Sequence, residues 1–181
     1  MMKTETITLY TPRLCLRRFS EKDAEAIYNG WATDLRCMRY QTQTPHKNIE
    51  DTRMRLDFWI REYEDGALNW AIERKEDGCL IGNIKTEKVE KHNFHCEIGY
   101  CLNFECHGKG YTTEALTAVL DYLIRVCGFQ TVYASHGSKN PASGKVMQKA
   151  GMKYQATLHK RIYDKTEKSF DDLIIYAAEK A

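Results

Sequence analysis

Three short segments of strand-like alternation, 67–74, 79–89 and 93–102, follow one another with only polar turns between them, then run into a glycine-bearing turn and one long amphipathic helix. Segments spaced this closely pair as antiparallel neighbours. They exclude the strict strand–helix–strand alternation of a dinucleotide-binding fold. The helix, TTEALTAVLDYLIRVCG (112–128), carries Ala115, Leu116, Val119, Leu120, Leu123 and Ile124 on its apolar side, and Gly128 stops it.

The flanking sequence completes a mixed α/β pattern. Strands lie on each side of Pro12 within 6–19, with Leu14 and Leu16 on one face. Ser20 and Asp23 have the spacing of a capping box and open a helix that presents Ala24, Ile27, Tyr28 and Trp31 and ends near Gly30. A second helix spans Asn48–Tyr63, with Ile49, Leu56, Trp59, Ile60 and Tyr63 inward and Asp65 and Gly66 at its end. After the long helix come a strand at 130–137, a short helix from Pro141 to Ala150 closed by Gly151, and strands at 152–163 and 169–180. A chain of 181 residues without repeat or linker reads as one domain, 8–178.

Composition removes several classes of function. Lys plus Arg number 27 against 25 Asp plus Glu, and a net charge of +2 is no footprint for nucleic acid or an anionic membrane. An anionic partner must therefore be met locally. No apolar run reaches the roughly eighteen to twenty residues of a membrane span, and the opening MMKTETITLY lacks the apolar core of a secretory signal. With seven cysteines, an odd number, the expectation is a cytoplasmic protein with free thiols. Cys96, Cys101 and Cys106 recur beside His92, His95 and His107, which raises zinc. The spacing is wrong for paired zinc ligands, and on a strand Cys96 and Cys101 point to opposite faces, so no metal is expected. Oligomeric state is left open, a homodimer included.

Two stretches carry chemistry. In LNFECHGKGYTTEAL (102–116), Gly108 and Gly110 can bring backbone N–H groups close to an anion, and the start of a helix adds unpaired donors and partial positive charge. The alternative is an ordinary strand-to-helix turn. The segment is neither the triphosphate loop GxxxxGK[ST] nor GxGxxG, because Thr113 stands where the third glycine belongs. In the second stretch, 137–154, Asn140 and Ser143 sit at the start of the short helix, where they either cap it or face a ligand.

Taken in order, CEIGYCL (96–102), HGKGYTTEAL (107–116) and NPASGKVMQKAGMKY (140–154) resemble the Gcn5-related N-acetyltransferases, in particular the branch of the ribosomal-protein N-terminal acetyltransferases RimJ and RimL. TPRLCLRRFSEKDAEAIYNGW (11–31) and MRYQTQTPHKNIEDT (38–52) are similar to the same branch. The resemblance implies the acyl-CoA N-acyltransferase fold, a central, mostly antiparallel sheet with a splay between two parallel strands, flanked by helices. It implies acetyl-CoA as co-substrate and an amine as acceptor. By that resemblance the backbone of His107, Gly108, Lys109, Gly110, Tyr111 and Thr112 receives the pyrophosphate. Ile98, Tyr100 and Leu102 border the splay and pair with pantetheine, and Asn140 and Ser143 lie by its arm or sulfur. His107 and Thr112 depart from the family signature Q/R-x-x-G-x-G/A, whereas Gly110 matches it.

Acetyl transfer to an amine needs an uncharged nucleophile, stabilisation of the developing oxyanion and a proton for the departing thiolate. No Cys-His-Asp order or G-x-S-x-G elbow supplies a covalent route, so direct attack is expected. Glu97 is the candidate base, or else a structural acid or one that orients the acceptor. Ser143 is the candidate donor to sulfur, with Tyr100 as its rival. Three functional readings follow: acetylation of a protein N-terminal α-amine; acetylation of a polyamine, amino acid or antibiotic, with Glu62, Glu64 and Asp65 either lining the pocket or forming an ordinary solvated helix end beside Gly66; and a coenzyme A-binding module without turnover.

Overall fold

The computed structural model describes residues 4–164 and 167–180. Eight strands form one sheet in the order β1-β2-β3-β4-β5-β6-β8-β7. They are β1 (Leu9–Tyr10), β2 (Leu14–Arg17), β3 (Asn69–Arg74), β4 (Leu80–Glu90), β5 (His95–Leu102), β6 (Thr131–Gly137), β7 (Lys153–Asp164) and β8 (Ser169–Glu179). The helices are α1 (Ala24–Ile27), α2 (Leu35–Met38), α3 (Ile49–Glu62), α4 (Tyr111–Asp121) and α5 (Pro141–Lys149).

The three consecutive segments of the sequence are β3, β4 and β5, and they pair antiparallel, with Trp70 opposite Ile84 and Ile84 opposite Tyr100. The remaining neighbours are antiparallel as well, except β5 and β6. Those two run parallel and are paired only at His95–Thr131, Cys96–Val132 and Glu97–Tyr133. From Ile98 onward β5 pairs with β4 alone, while β6 continues to Gly137 against β8. The mixed α/β fold and the expected splay between parallel strands are both present.

Alternation along the strands gives the sheet two apolar faces. On one, Leu14, Leu16, Trp70, Ile72, Ile98 and Val132 pack against Ala115, Leu116, Val119 and Leu120 of α4. On the other, Ala71 meets Phe19, Ile27, Trp31, Leu56 and Trp59 from the first helical region and α3. Each large apolar side chain fully buried here contributes roughly 1.5–3 kcal/mol. Tyr63 locks the end of α3 to both neighbours, its hydroxyl accepting from Phe19 N at 3.0 Å and donating to the Asn69 carbonyl at 2.8 Å.

Two wide helical turns and one short helix add detail to the sequence reading. The helix opened by Ser20 ends near Gly30, widening into a π-turn over Tyr28–Ala32, with Trp31 and Ala32 buried. The long helix likewise ends in a wide turn, Tyr122–Val126, before Gly128 at φ +85°. The short helix α2 was not foreseen. Asp34 caps it by accepting from Arg36 N at 2.8 Å, a local bond with no apolar period to advertise it.

Candidate active site

Where β5 and β6 part, β5 supplies one wall of a slot and α5 approaches from the other. Pro141 occupies the first turn of α5, where its missing N–H costs nothing. Asn140 precedes it but makes no side-chain cap, which leaves its amide available to a ligand. Ser143 Oγ lies 2.8 Å from the Tyr100 hydroxyl, which is also 3.1 Å from the Ser143 carbonyl. Burial pushes the Tyr100 phenol up to about 12, against a smaller lowering by its bond to Ser143. Tyr100 therefore carries its proton throughout the neutral range. The Tyr100 carbonyl accepts from Gln41 Nε2 at 3.2 Å, and the Leu102 carbonyl lies 3.0 Å from the His107 ring.

The glycine turn follows directly. Asn103 starts a 3-10 turn over Phe104–Cys106 by accepting from Glu105 N at 2.9 Å, and His107 N donates to the Phe104 carbonyl at 3.0 Å. His107 thus spends its N–H within the turn, and the donors left for an anion are those of Gly108, Lys109, Gly110, Tyr111 and Thr112. Gly108 and Gly110 have φ of +74° and +82°, a left-handed backbone that favours glycine. Gly110 is the N-cap of α4 and offers no side chain to its first-turn N–H groups. Residues 107–110 are exposed, while the Tyr111 ring turns into the core and Thr112 is half-buried. The acid of that first turn, Glu114, is drawn back to Thr11 and Arg13, at 2.6 and 2.7 Å. An uncapped helix start with two permissive glycines and its carboxylate turned away fits a diphosphate.

Glu97 occupies the opposite face of β5 from Ile98, Tyr100 and Leu102, as alternation requires. Its carboxylate is engaged twice, by Lys88 Nζ at 2.6 Å and by Ser135 Oγ at 2.8 Å. Its hydrogen bond to Glu97 in turn raises the Lys88 pKa. On the same face a small pocket is lined by Trp31, His46, Trp59, Asn83, Lys85 and Glu87 beside Gly99. Glu87 lies across Gly99, with Oε1 3.4 Å from where a Cβ would stand, and pairs with Lys85 at 3.3 Å. Glu62, Glu64 and Asp65 are not among the lining residues; Glu64 and Asp65 are exposed just past α3. Of the two readings of these acids, lining of this pocket is not seen, and Glu64 and Asp65 belong to a solvated helix end.

All seven cysteines are free thiols, and among the described residues no group of three or more His, Cys, Asp or Glu side chains could hold a metal ion. Cys96 packs in the α4 core and Cys101 against the other, and burial pushes both thiols up to about 12. Among the described residues no helix is long and apolar enough to cross a membrane.

Residues 13–153 match the acetyltransferase (GNAT) domain, and the chain belongs to that family of acetyl-CoA-dependent N-acetyltransferases. It is similar to the uncharacterized N-acetyltransferase YnaD of Bacillus subtilis (strain 168), 30% identical over 153 residues that cover 84% of this chain and 86% of that one. The GNAT-family acetyltransferase structure from Bacillus anthracis is 28% identical, with a TM-score of 0.83 over 96% of this chain and 98% of that one. RimL, the ribosomal L7/L12 α-N-protein acetyltransferase solved with coenzyme A, shares the fold at 18% identity, with a TM-score of 0.86 over 96% and 98% of the two chains. The reading as a binding module without turnover gives way to that of an enzyme.

Sequence reasoning brought Tyr100 and Ser143 to the same slot but missed their mutual hydrogen bond. It also missed Lys88, Ser135 and Gln41. None of these carried a motif, because each acts through a strand register or a loop crossing that no local spacing encodes.

Proposed function

We propose that the acceptor is the α-amine of a peptide or protein N-terminus, and that the acetyl group passes to it by direct attack within a ternary complex. The observation that carries this reading is the size of the acceptor-side pocket. Its cavity of about 50 Å³ compares with the roughly 10–15 Å³ that one water needs on the same measure. Such a space takes an amine and its first atoms, and at Thr42, Gln43 and His46 it adjoins a wider, open cleft of about 640 Å³ running past Met54 and Phe58, where the rest of a peptide acceptor would lie. A polyamine or antibiotic calls for an enclosure lined by several free acids, whereas the pocket's acid, Glu87, is already paired with Lys85 and that of the adjoining cleft, Asp51, accepts from Lys47 N at 2.8 Å. An α-amine also has a pKa near 8, against about 10.4 for a lysine side chain, so more of it is uncharged at neutral pH.

In this reading the backbone of Gly108 to Thr112 holds the diphosphate, and Ile98, Tyr100, Leu102 and Asn140 border the pantetheine arm. Glu97 accepts the proton that the amine nitrogen loses as its bond to the acetyl carbon forms, once the acceptor has displaced Lys88. The Tyr100–Ser143 pair returns a proton to the sulfur as the carbon–sulfur bond breaks. The products are then a neutral amide and a neutral thiol. Mass spectrometry after incubation with acetyl-CoA tests the acceptor, using peptides with free and blocked N-termini alongside spermidine and single amino acids. Acetylation at the α-nitrogen of free peptides alone is expected. Turnover confined to the small amines would overturn the assignment.

A further inference from the structure

Residues 11–14, TPRL, are remote in sequence from the glycine turn, yet Arg13 reaches it through its guanidinium. Its Nε lies 2.7 Å from Glu114 Oε2 and its Nη1 donates to the Lys109 carbonyl at 3.0 Å. The guanidinium stacks over the Tyr111 ring at 4.5 Å, and Nη2 lies 3.5 Å from where a Cβ on Gly110 would stand. Glu114 closes the arrangement by accepting from Arg13 N at 2.8 Å and from the Thr11 hydroxyl at 2.6 Å.

We infer that Arg13 is a positioning residue for the diphosphate cradle, an inference that rests on reading residues 108–112 as that cradle. A trans peptide is planar, with its C=O and the following N–H pointing in opposite directions. Holding the Lys109 carbonyl from behind therefore turns the Gly110 N–H outward, toward the anion. The same guanidinium removes an obstacle. Glu114 in the first turn of α4 would repel a diphosphate, and Arg13 and Thr11 keep it on the far side of the loop. Although burial works to raise the Glu114 carboxyl, the bonds from Thr11 and Arg13 outweigh it and hold the pKa below its ordinary value. Arg13 thus acts through Lys109, Gly110 and Glu114 rather than by touching the substrate.

The test compares two acetyl donors, one with the diphosphate and one without. In Arg13→Ala, calorimetry is expected to show acetyl-CoA affinity falling about tenfold or more, the scale of a lost charge-assisted bond. The kcat/KM for S-acetylpantetheine, which has no diphosphate, is expected to hold. Arg13→Lys should recover only part of the affinity, since an ammonium cannot fork between Glu114 and Lys109. Equal losses for both donors, or unchanged acetyl-CoA affinity, would overturn the inference. Should Arg13→Ala fail to fold, Arg13→Met, which keeps the stem packed on Tyr111, takes the same comparison, with the same two outcomes. No acetyl-CoA binding by the unaltered protein would overturn the cradle reading and this inference with it.

Discussion

The Tyr100 hydroxyl stands 2.8 Å from Ser143 Oγ and 3.1 Å from the Ser143 carbonyl, so one pair of side chains ties β5 to the first turn of α5 across the opening between the parallel strands. With its proton directed to the carbonyl, the phenol oxygen accepts from the serine hydroxyl; the reverse order leaves the serine as acceptor. Only the second order gives a relay that can serve a third atom, because it leaves the serine proton free to turn outward, whereas the first commits both protons.

If that relay protonates the leaving sulfur, Ser143→Ala and Tyr100→Phe each slow acetyl transfer by about 10²-fold, the low end for a positioned proton donor. Because burial holds Tyr100 near 12, the factor lost in Tyr100→Phe should be the same at pH 7 and at pH 10. Single-turnover measurements with one proven acceptor read the chemical step directly. Unaltered rates in both variants would remove the pair from the chemistry.

Glu97→Gln keeps volume and removes the carboxylate that Lys88 and Ser135 hold. As base, its loss should cost about 10²-fold or more at pH 7, with partial recovery as the pH passes the acceptor's own pKa. Acetyl-CoA affinity should change little. A loss confined to the KM of the acceptor, with kcat intact, would leave Glu97 with orientation alone.

Much of this site was legible because its parts are local. Alternation in β5 put Tyr100 and Glu97 on opposite faces, and the glycines of 107–110 announced a special backbone before the helix. What was illegible is long-range. Nothing in Lys88 or Ser135 says that they converge on Glu97, since that depends on the β4 and β6 registers. Arg13 likewise reads as an exposed strand residue until the fold brings it to Glu114. The acidic trio near Gly66 failed as pocket lining for the converse reason, that charge at a helix end is satisfied by water wherever the pocket lies.

Gly110 is constrained by its backbone at φ +82° more than by space, since a Cβ would meet only Arg13 Nη2 at 3.5 Å. Gly110→Ala should therefore cost about 1–2 kcal/mol of stability, the strain of a left-handed L-residue. As the loop relaxes to relieve it, acetyl-CoA should bind more weakly. Thermal unfolding and calorimetry measure the two effects, and unchanged affinity would detach this glycine from the cradle.

A different region controls acid stability. Asp23 is buried, which would raise its pKa, but hydrogen bonds from Arg17 at 2.8 and 2.9 Å and from Ser20 N at 2.8 Å outweigh this and hold it below the ordinary value. A depressed folded-state pKa contributes stability that is complete above the unfolded value near 3.9 and disappears as pH falls through the folded one. Asp23→Ala should cost about 2 kcal/mol at pH 7, lowering Tm by roughly 4–8 °C. The difference from the unaltered protein should shrink below about pH 4. A gap that stays constant down to pH 2 would contradict the assignment.

The order β6-β8-β7 places a late strand between two earlier ones, and β6, which flanks the slot, has only its brief parallel contact with β5 and its long antiparallel contact with β8. During synthesis, residues 169–179 leave the ribosome after every other strand. Until they arrive, β6 lacks its main partner and β7 has none. The emerging chain can assemble β1 to β5 with α4, glycine turn included, well before the far side of the slot is fixed. Competence to bind a ligand there is consequently acquired only once Ser169–Glu179 has emerged, and a ribosome stalled before Ser169 should display a formed anion loop without a working enzyme.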